Sequence, residues 1–282
     1  MKKKIIEVIN NDSLVSYLTK KGIAKNKVKT YVKLGYVYVN NKCVKKLPYD
    51  IFIGDVIIIN SDNNNTNLDI IYEDSNYLIV NKPNGLLTIS TSNINKNIEV
   101  TLYKYVREYL NNKNEYAFIV NRIDKETSGI VIFVKQEWLK NKLQDNWNDI
   151  VKSRKYIALV SGILIKDGRI DNYLYEDKRT FSHSTKIGGK RAITNYKVIK
   201  YNNDYTLLDI NIETGRKNQI RVHMSEMNHP IVGDKKYYSK DNKYKRLMLH
   251  HYEISLINPI NNKLLIFNSK IPNEFNNIFN NN

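Results

Sequence analysis

Residues 120–129 read Val-Asn-Arg-Ile-Asp-Lys-Glu-Thr-Ser-Gly, a polar stretch between two apolar runs. The run before it covers Ala117 to Val120, and the run after it covers Ile130 to Val134. Short apolar runs of this kind are typical of buried strands, so we expect the core to hold the polar stretch at both ends. Asp, Thr, Ser and Gly are also ordinary turn residues. Taken alone, the stretch is better interpreted as a turn than as a site around Asp124.

The composition is that of a soluble globular protein. The chain has 282 residues, 41% hydrophobic and 26% charged, which is enough for a main core and a small accessory domain. No apolar run approaches the length of a membrane span, and none follows the basic start at residues 1–4 as a signal peptide requires. The single Cys43 excludes an internal disulfide framework and indicates a reducing compartment. We therefore expect a cytoplasmic protein without a membrane partner.

The charge is strongly unbalanced, with 45 Lys and Arg against 28 Asp and Glu, a net charge of +17. This surplus favours a polyanionic partner, above all nucleic acid. An anionic membrane surface is less favoured, because no stretch combines a strong apolar face with a basic one. The five histidines and one cysteine include no zinc-ligand spacing, so no metal site is expected.

The first sixty residues predict a small domain of their own. One helix is predicted after the capping residues 11–13, ending at Gly22, and a second from Lys25 to Leu34. Strands are predicted at 36–39 and 54–59. The second helix is rich in lysine: Lys25, Lys27, Lys29 and Lys33. Such a face is usually just solvated.

The order of these elements resembles the small RNA-binding domain first described in ribosomal protein S-four, over about residues 12 to 60. In that family the second helix lies on RNA. The resemblance therefore implies that Lys25, Lys27, Lys29 and Lys33 contact phosphates, which adds affinity but no sequence discrimination. Residues 61–67 are polar and aperiodic, and are predicted to be a linker between a domain at 1–60 and one at 68–282.

From residue 68 onward, short apolar runs alternate with turn residues. Strands are predicted at 68–72, 77–80, 155–160, 194–200, 205–212, 248–256 and 264–267, and helices at 100–110, 137–147 and 216–227. Strands follow strands more often than helices separate them, which indicates an α+β domain with a mixed, largely antiparallel sheet. The asparagine-rich end from Phe275 to Asn282 is expected to fray.

Four stretches of this domain occur in an order and spacing that resemble one family: residues 81–87 (Asn-Lys-Pro-Asn-Gly-Leu-Leu), 122–129 (Arg-Ile-Asp-Lys-Glu-Thr-Ser-Gly), 155–158 (Lys-Tyr-Ile-Ala) and 214–221 (Thr-Gly-Arg-Lys-Asn-Gln-Ile-Arg). They resemble the RNA pseudouridine synthases of the RluA type, the branch that mostly modifies large-subunit ribosomal RNA. The resemblance covers about residues 68 to 270. It implies the isomerisation of uridine in structured RNA by a monomer that needs neither metal nor organic cofactor, with ribosomal RNA or its precursor as partner.

The same resemblance implies roles for individual residues. The target uridine is flipped into a pocket, and the family's nucleophilic aspartate falls on Asp124. The family arginine at Arg221 is expected to pair with Asp124, because a nearby guanidinium offsets the rise in pKa that burial causes. Tyr156 matches a pocket tyrosine that can stack on uracil and assist proton removal from carbon 5. Arg122 matches an arginine that fills the gap left by the flipped base, and Arg216 is assigned to a phosphate.

Plainer interpretations of these residues remain. Arg221 would equally be a phosphate binder on a basic helix, Tyr156 a core residue among 21 tyrosines, and Arg122 a surface arginine. The family usually has histidine where this chain has Asn121 and Asn218. Neither position is the nucleophile, so both replacements bear on RNA contacts or loop bracing more than on chemistry.

Three other functions compete with the first. The chain could be a catalytically inert RNA-binding or ribosome-assembly factor, or a pseudouridine synthase that acts on transfer RNA. An enzyme of free nucleotides is a poor alternative, because the surplus of positive charge would then have no use.

Overall fold

The computed structural model describes residues 4–33, 36–40, 42–59, 68–90, 100–177, 181–185, 188–237, 244 and 246–279. These residues divide into two compact units. The first contains the described residues up to Ile59 together with Ser90 and Val100, and the second contains the others from Leu68 onward. The linker predicted at 61–67 lies outside the described residues, so the division into 1–60, 61–67 and 68–282 stays a prediction.

The first unit combines two helices with short strands. Its elements are β1 (Lys4–Glu7), β2 (Asp12–Ser13), α1 (Leu14–Lys20), α2 (Lys25–Lys33), β3 (Val37–Val39), β4 (Lys42–Cys43), β5 (Asp50–Ile51) and β6 (Val56–Ile59). Four of the strands form a sheet in the order β1-β6-β3-β4. The N-cap of α1 is Ser13, whose hydroxyl accepts a hydrogen bond from the amide of Ser16. Both predicted helices are present, while Leu34 and Gly35 lie outside the described residues.

The lysine-rich helix α2 has one apolar and one basic face. Val28 and Val32 are buried in the core of this unit. Lys25, Lys27 and Lys29 are exposed. The side chain of Lys33 lies outside the described part of the chain. The exposed lysines fit a phosphate-binding face, and the resemblance to the S-four domain stays a prediction.

The second unit is built on one large sheet. Its strands are β7 (Asp69–Glu73), β8 (Tyr77–Lys82), β9 (Phe118–Ile119), β10 (Ser128–Val134), β11 (Val151–Ser161), β12 (Gly168–Glu176), β13 (Ser182–Thr185), β14 (Lys190–Tyr201), β15 (Tyr205–Ile212), β16 (Leu249–Ile257) and β17 (Leu264–Asn268). Its helices are α3 (Leu102–Asn111), α4 (Glu137–Asp145), α5 (Trp147–Ile150), α6 (Gln219–Glu226) and α7 (Glu274–Asn277).

The strand order is β13-β12-β14-β15-β11-β16-β10-β8-β7, with β9 beside β10 and β17 beside β16. Among the described strands, β10 and β16 form a parallel pair, and the other neighbours are antiparallel. The predicted α+β class and the mixed, largely antiparallel sheet are therefore confirmed.

The stretch 120–129 leads into the middle of this sheet. Strand β10 is buried along its whole length, as its apolar sequence predicts. It starts beside β16 at Gly129, which has a φ of +117°. A Cβ atom there would lie 2.1 Å from the carbonyl oxygen of His251. Only glycine allows this approach of the two strands. The polar loop therefore enters β10 where β10 lies against the backbone of β16.

The structure differs from the predictions for the second unit in three places. Strands β12 and β13 were not predicted, because polar and charged residues alternate along them without an apolar run. The helix predicted at 216–227 begins at Gln219, since Asn218 has a left-handed φ of +55° that a helix cannot contain. The predicted fraying from Phe275 onward does not hold for α7, where Phe275 is fully buried.

Replacing Phe275 by alanine should lower the free energy of unfolding by about 3–5 kcal/mol, because it empties a packed aromatic site. Asn276, next to it in α7, is exposed. Asn276→Ala is the matched control and should change stability by about 0.5 kcal/mol or less. Urea denaturation measures both. Equal stability of the two variants would mean that α7 contributes nothing to the core.

Candidate active site

A buried ammonium group fixes the loop that carries Asp124. Lys82, at the end of β8, has no exposed surface. Its Nζ atom donates hydrogen bonds to the carbonyl oxygens of Pro83 at 2.9 Å, Leu86 at 2.7 Å and Lys125 at 3.0 Å. Burial lowers the pKa of Lys82 to about 7, against the opposing effect of Asp124. Three carbonyl acceptors need three N–H donors, which favours the ammonium form. Lys82 thereby ties residues 83–86 to the loop.

Further hydrogen bonds brace the same loop. The hydroxyl of Thr88 donates a hydrogen bond to the carbonyl oxygen of Ile123 at 2.7 Å. The amide of Gly85 donates to the carbonyl oxygen of Lys125 at 2.9 Å. The side-chain oxygen of Asn121 accepts from the amide of Ile132 at 2.7 Å. Asn121, which replaces the usual family histidine, thus joins the loop to β10. This is the bracing role that the sequence left open beside RNA contact.

Asp124, on the loop, faces Arg221 of α6. The Nη1 atom of Arg221 lies 3.7 Å from Oδ2 of Asp124. The aspartate side chain is 30% exposed and the arginine side chain 6%. The predicted pairing is therefore present, as a longer contact than a hydrogen bond. The carboxylate is partly exposed and the guanidinium is buried.

Asp234 is the stronger partner of Arg221. It accepts two hydrogen bonds from the guanidinium, both of 2.7 Å, from Nε and Nη2. Its Oδ1 atom also accepts from the amides of Lys236 at 2.9 Å and Tyr237 at 3.0 Å. Sequence analysis did not assign this residue. The sequence signal for it is the pair Gly233-Asp234. In the structure, Gly233 has a φ of +76°, and a Cβ there would lie 2.0 Å from the carbonyl oxygen of Arg246.

This arrangement leaves one edge of the guanidinium for the site. Nη1 of Arg221 is also 3.1 Å from the side-chain oxygen of Asn218. Asn218, the residue before α6, therefore orients Arg221. Because Asp234 already neutralises the arginine, Arg221 can face Asp124 without a close ion pair.

The electrostatics of Asp124 reflect two opposing effects. Burial of the carboxyl group raises its pKa, and nearby cations oppose that rise, in the order Arg221, Lys236 and Lys82. Lys236 was not singled out from the sequence. Its Nζ atom lies 4.6 Å from the centre of the Phe181 ring. An enclosed carboxylate with several cations can stay ionised and reactive.

Tyr156 lies on β11 with its ring stacked on His251 of β16. The ring centroids are 4.4 Å apart and the planes are inclined by 14°. Burial raises the pKa of Tyr156; the guanidinium of Arg154 opposes this rise, and the carboxylate of Asp124 adds to it. Burial also lowers the pKa of His251 to about 4, which keeps this imidazole neutral. The stack is an uncharged aromatic wall beside the carboxylate.

The other predicted residues lie outside this group. Arg122 is exposed on the loop. Arg216 stands in the turn before α6, not at its first residue, and its Nε donates to the carbonyl oxygen of Arg191 at 2.8 Å. The lysines of α2 belong to the first unit. Within the described residues there is no cluster of His, Cys, Asp and Glu that could hold a metal ion. No helix of the described ranges is long and apolar enough to cross a membrane.

Comparison with known proteins assigns the fold and the family. A family model described as RNA pseudouridylate synthase matches residues 76–226. The ribosomal large subunit pseudouridine synthase D of Borreliella burgdorferi is 34% identical over 257 residues, covering 84% of this chain and 78% of the relative. The ribosomal large subunit pseudouridine synthase C of Buchnera aphidicola subsp. Baizongia pistaciae is 32% identical and covers 93% and 90%.

A solved structure supports the fold independently. Human RNA Pseudouridylate Synthase Domain Containing 4 superposes with a TM-score of 0.59 at 21% identity, over 73% of this chain and 89% of that protein. The fold and the matches together define an RNA-modifying isomerase. This chain belongs to the RNA pseudouridylate synthase family. The family and the reaction implied by the four sequence stretches are confirmed, while the roles of single residues stay predictions.

Replacing Lys82 by methionine should destabilise the protein, since three carbonyl groups around a buried ammonium group lose their donor, at about 1–3 kcal/mol each where water cannot replace it. We expect a total loss of roughly 3 kcal/mol or more, together with faster hydrogen exchange at the amides of Gly85 and Thr127. Lys263→Met changes an exposed lysine and is the control. Unchanged exchange at both amides in the Lys82 variant would contradict the clamp.

Proposed function

We propose that this chain isomerises uridine to pseudouridine in large-subunit ribosomal RNA or its precursor, with Asp124 as nucleophile. The observation that carries the assignment is the partly exposed carboxylate of Asp124 facing the buried guanidinium of Arg221 at 3.7 Å. A nucleophile must be ionised and reachable. Arg221 supports the first requirement and the partial exposure of Asp124 the second.

The chemistry follows from the position of Asp124. A base inside a helix cannot be rebuilt, so the uridine is flipped out at a cost of a few kcal/mol. Asp124 then forms a covalent adduct with either the sugar or the base. The bond from N1 to the sugar breaks, the ring turns, carbon 5 bonds to the sugar, and the bond to Asp124 breaks. Carbon 5 then loses its proton and N1 gains one. One nucleophile suffices because the base stays in the pocket.

Tyr156 offers the flipped uracil a flat aromatic face, backed by His251. Its raised pKa keeps the phenol protonated at neutral pH. The hydroxyl group therefore takes part in proton transfer from carbon 5 as a neutral group and not as a phenolate. Arg122, exposed on the Asp124 loop, fills the space that the uracil vacates in the RNA.

The choice of ribosomal RNA rests on the relatives and on charge. Both bacterial relatives are named as large-subunit ribosomal enzymes. The net charge of +17 and the exposed lysines of α2 suit a large polyanion. In this proposal the enzyme acts as a cytoplasmic monomer without metal or organic cofactor, and Arg216 holds a phosphate near α6. Transfer RNA is the competing substrate, and the same assay on both RNAs decides between them.

Asp124→Asn should abolish tritium release from ribosomal RNA labelled at uridine carbon 5, while RNA affinity stays within about threefold. Asp145 is an exposed carboxylate on α4, so Asp145→Asn is the matched control and should keep full activity. Asp124→Asn should also melt no lower than the wild type near pH 7. The reason is that burial raises the pKa of Asp124, so ionisation disfavours the folded state.

Several results would overturn the assignment. Turnover by the Asp124→Asn variant would exclude Asp124 as the nucleophile. Release of tritium from transfer RNA alone would replace the substrate. Tight binding of ribosomal RNA by the wild type with no pseudouridine formed would leave an inert binding factor.

The triple variant Lys25→Gln, Lys27→Gln and Lys29→Gln should bind RNA with a weaker salt dependence. Each lost phosphate contact lowers the slope of log K against log salt by about 0.7–0.9. The control removes three exposed lysines of the second unit, Lys166, Lys197 and Lys263, and so changes net charge equally. If both triple variants lower the slope by the same amount, net charge and not the face of α2 explains the effect.

A further inference from the structure

A second arginine stands beside the proposed uracil wall. Arg154 and Tyr156 are alternate residues of β11, and alternate residues of a strand share one face about 7 Å apart. The alternation is intact here: Arg154 and Lys155 pair in continuous register with β16, and Lys155 and Tyr156 do so with β15. The irregularity on the other side belongs to β16, which steps from Glu253 to His251. Arg154 and Tyr156 therefore line the same surface.

The turn before α6 holds the guanidinium of Arg154 in place. Its Nη2 atom donates to the carbonyl oxygen of Glu213, and its backbone amide donates to the side chain of Asn211 at 3.1 Å. A Cβ on Gly215 would lie 2.8 Å from Nη1 of Arg154. The absence of a side chain at Gly215 lets the guanidinium lie against this turn.

Arg154 and Arg216 are like charges at Gly215: the guanidinium of Arg154 lies against this residue, and Arg216 follows it in the chain. Burial lowers the pKa of Arg154, and the charge of Arg216 lowers it further. Among the ion pairs of the described ranges, none includes either arginine. Two neighbouring guanidinium groups without a carboxylate repel each other, and one of them is half-buried. An anion between them would relieve both costs.

We propose that Arg154, together with Arg216 across Gly215, binds a backbone phosphate of the flipped nucleotide. The proposal rests on the proposed function, in which Tyr156 packs against the uracil. A phosphate is the anion that RNA supplies next to a base, and the planar guanidinium binds it through paired N–H groups. Because Arg154 and Tyr156 are about 7 Å apart on one face of the strand, a single nucleotide can place its base on Tyr156 and a backbone phosphate at Arg154. Arg154 is thus a substrate-positioning residue that sequence analysis did not identify.

The test couples the arginine to the phosphate charge. A ribosomal RNA fragment containing the mapped uridine is prepared with a neutral methylphosphonate at the phosphate on either side of that uridine. At one of the two positions, the wild type should lose about tenfold or more in kcat/KM for tritium release. Arg154→Met should lose a similar factor on the natural RNA, and no more when the neutral linkage is added.

Two further variants separate binding from folding. Arg154→Lys keeps the charge but not the paired donors, and should fall between the wild type and Arg154→Met. Gly215→Ala keeps both arginines, displaces the guanidinium of Arg154, and should show a reduced penalty for the neutral linkage. Arg169 is exposed on β12 and ion-pairs with Glu213, so Arg169→Met is the control and should respond to the neutral linkage as the wild type does.

Equal penalties for the neutral linkage in the wild type and in every Arg154 variant would overturn the phosphate role. If Arg154→Met does not fold, the lysine and Gly215 variants decide in the same way. Loss of all activity in the Asp124→Asn variant alongside these equal penalties would leave the proposed function standing and reject this inference alone.

Discussion

The bidentate ion pair between Arg221 and Asp234 is the interaction on which the site depends. An arginine buried without a partner carries a large desolvation penalty. Asp234 offsets this penalty by binding Nε and Nη2 of Arg221. One edge of the guanidinium is left for Asp124. An arginine that served Asp124 alone would form a close pair with its carboxylate. The presence of Asp234 leaves Asp124 beside a cation and still partly exposed.

The sheet brings the contributing segments together from distant parts of the chain. The loop with Asp124 enters β10, Tyr156 lies on β11, and His251 on β16 stands between those strands. The parallel contact of β10 with β16 at Gly129 sets their spacing. On the other side of the loop, Lys82 binds carbonyl groups from two segments. The site is therefore shaped by backbone contacts, and its side chains are placed on rigid elements.

Much of this organisation could be predicted from the sequence. The apolar runs predicted the buried strands, and the strand predicted at 205–212 has the same bounds in the structure. The motif order indicated the family and the meeting of Asp124 with Arg221. Asp234 was missed because its ion pair with Arg221 joins a turn to a helix 13 residues away along the chain, which leaves no periodic pattern in the sequence. Strands β12 and β13, at and next to the sheet edge, were missed because they lack a long apolar run. The burial of Phe275 depends on tertiary packing that the surrounding asparagines conceal.

The placement of charge at different depths has a consequence for how the enzyme responds to its surroundings. The lysines of α2 stand in water, where dissolved ions screen them within about 10 Å at 0.1 M ionic strength. The guanidinium of Arg221 is enclosed, and the imidazole of His251 carries no charge at neutral pH. In the proposed roles of these residues, ionic strength therefore acts on RNA capture by the lysines of α2 and has little effect on the buried groups around Asp124. RNA binding by the exposed lysines and the chemistry at the enclosed site therefore depend on the solvent in different ways.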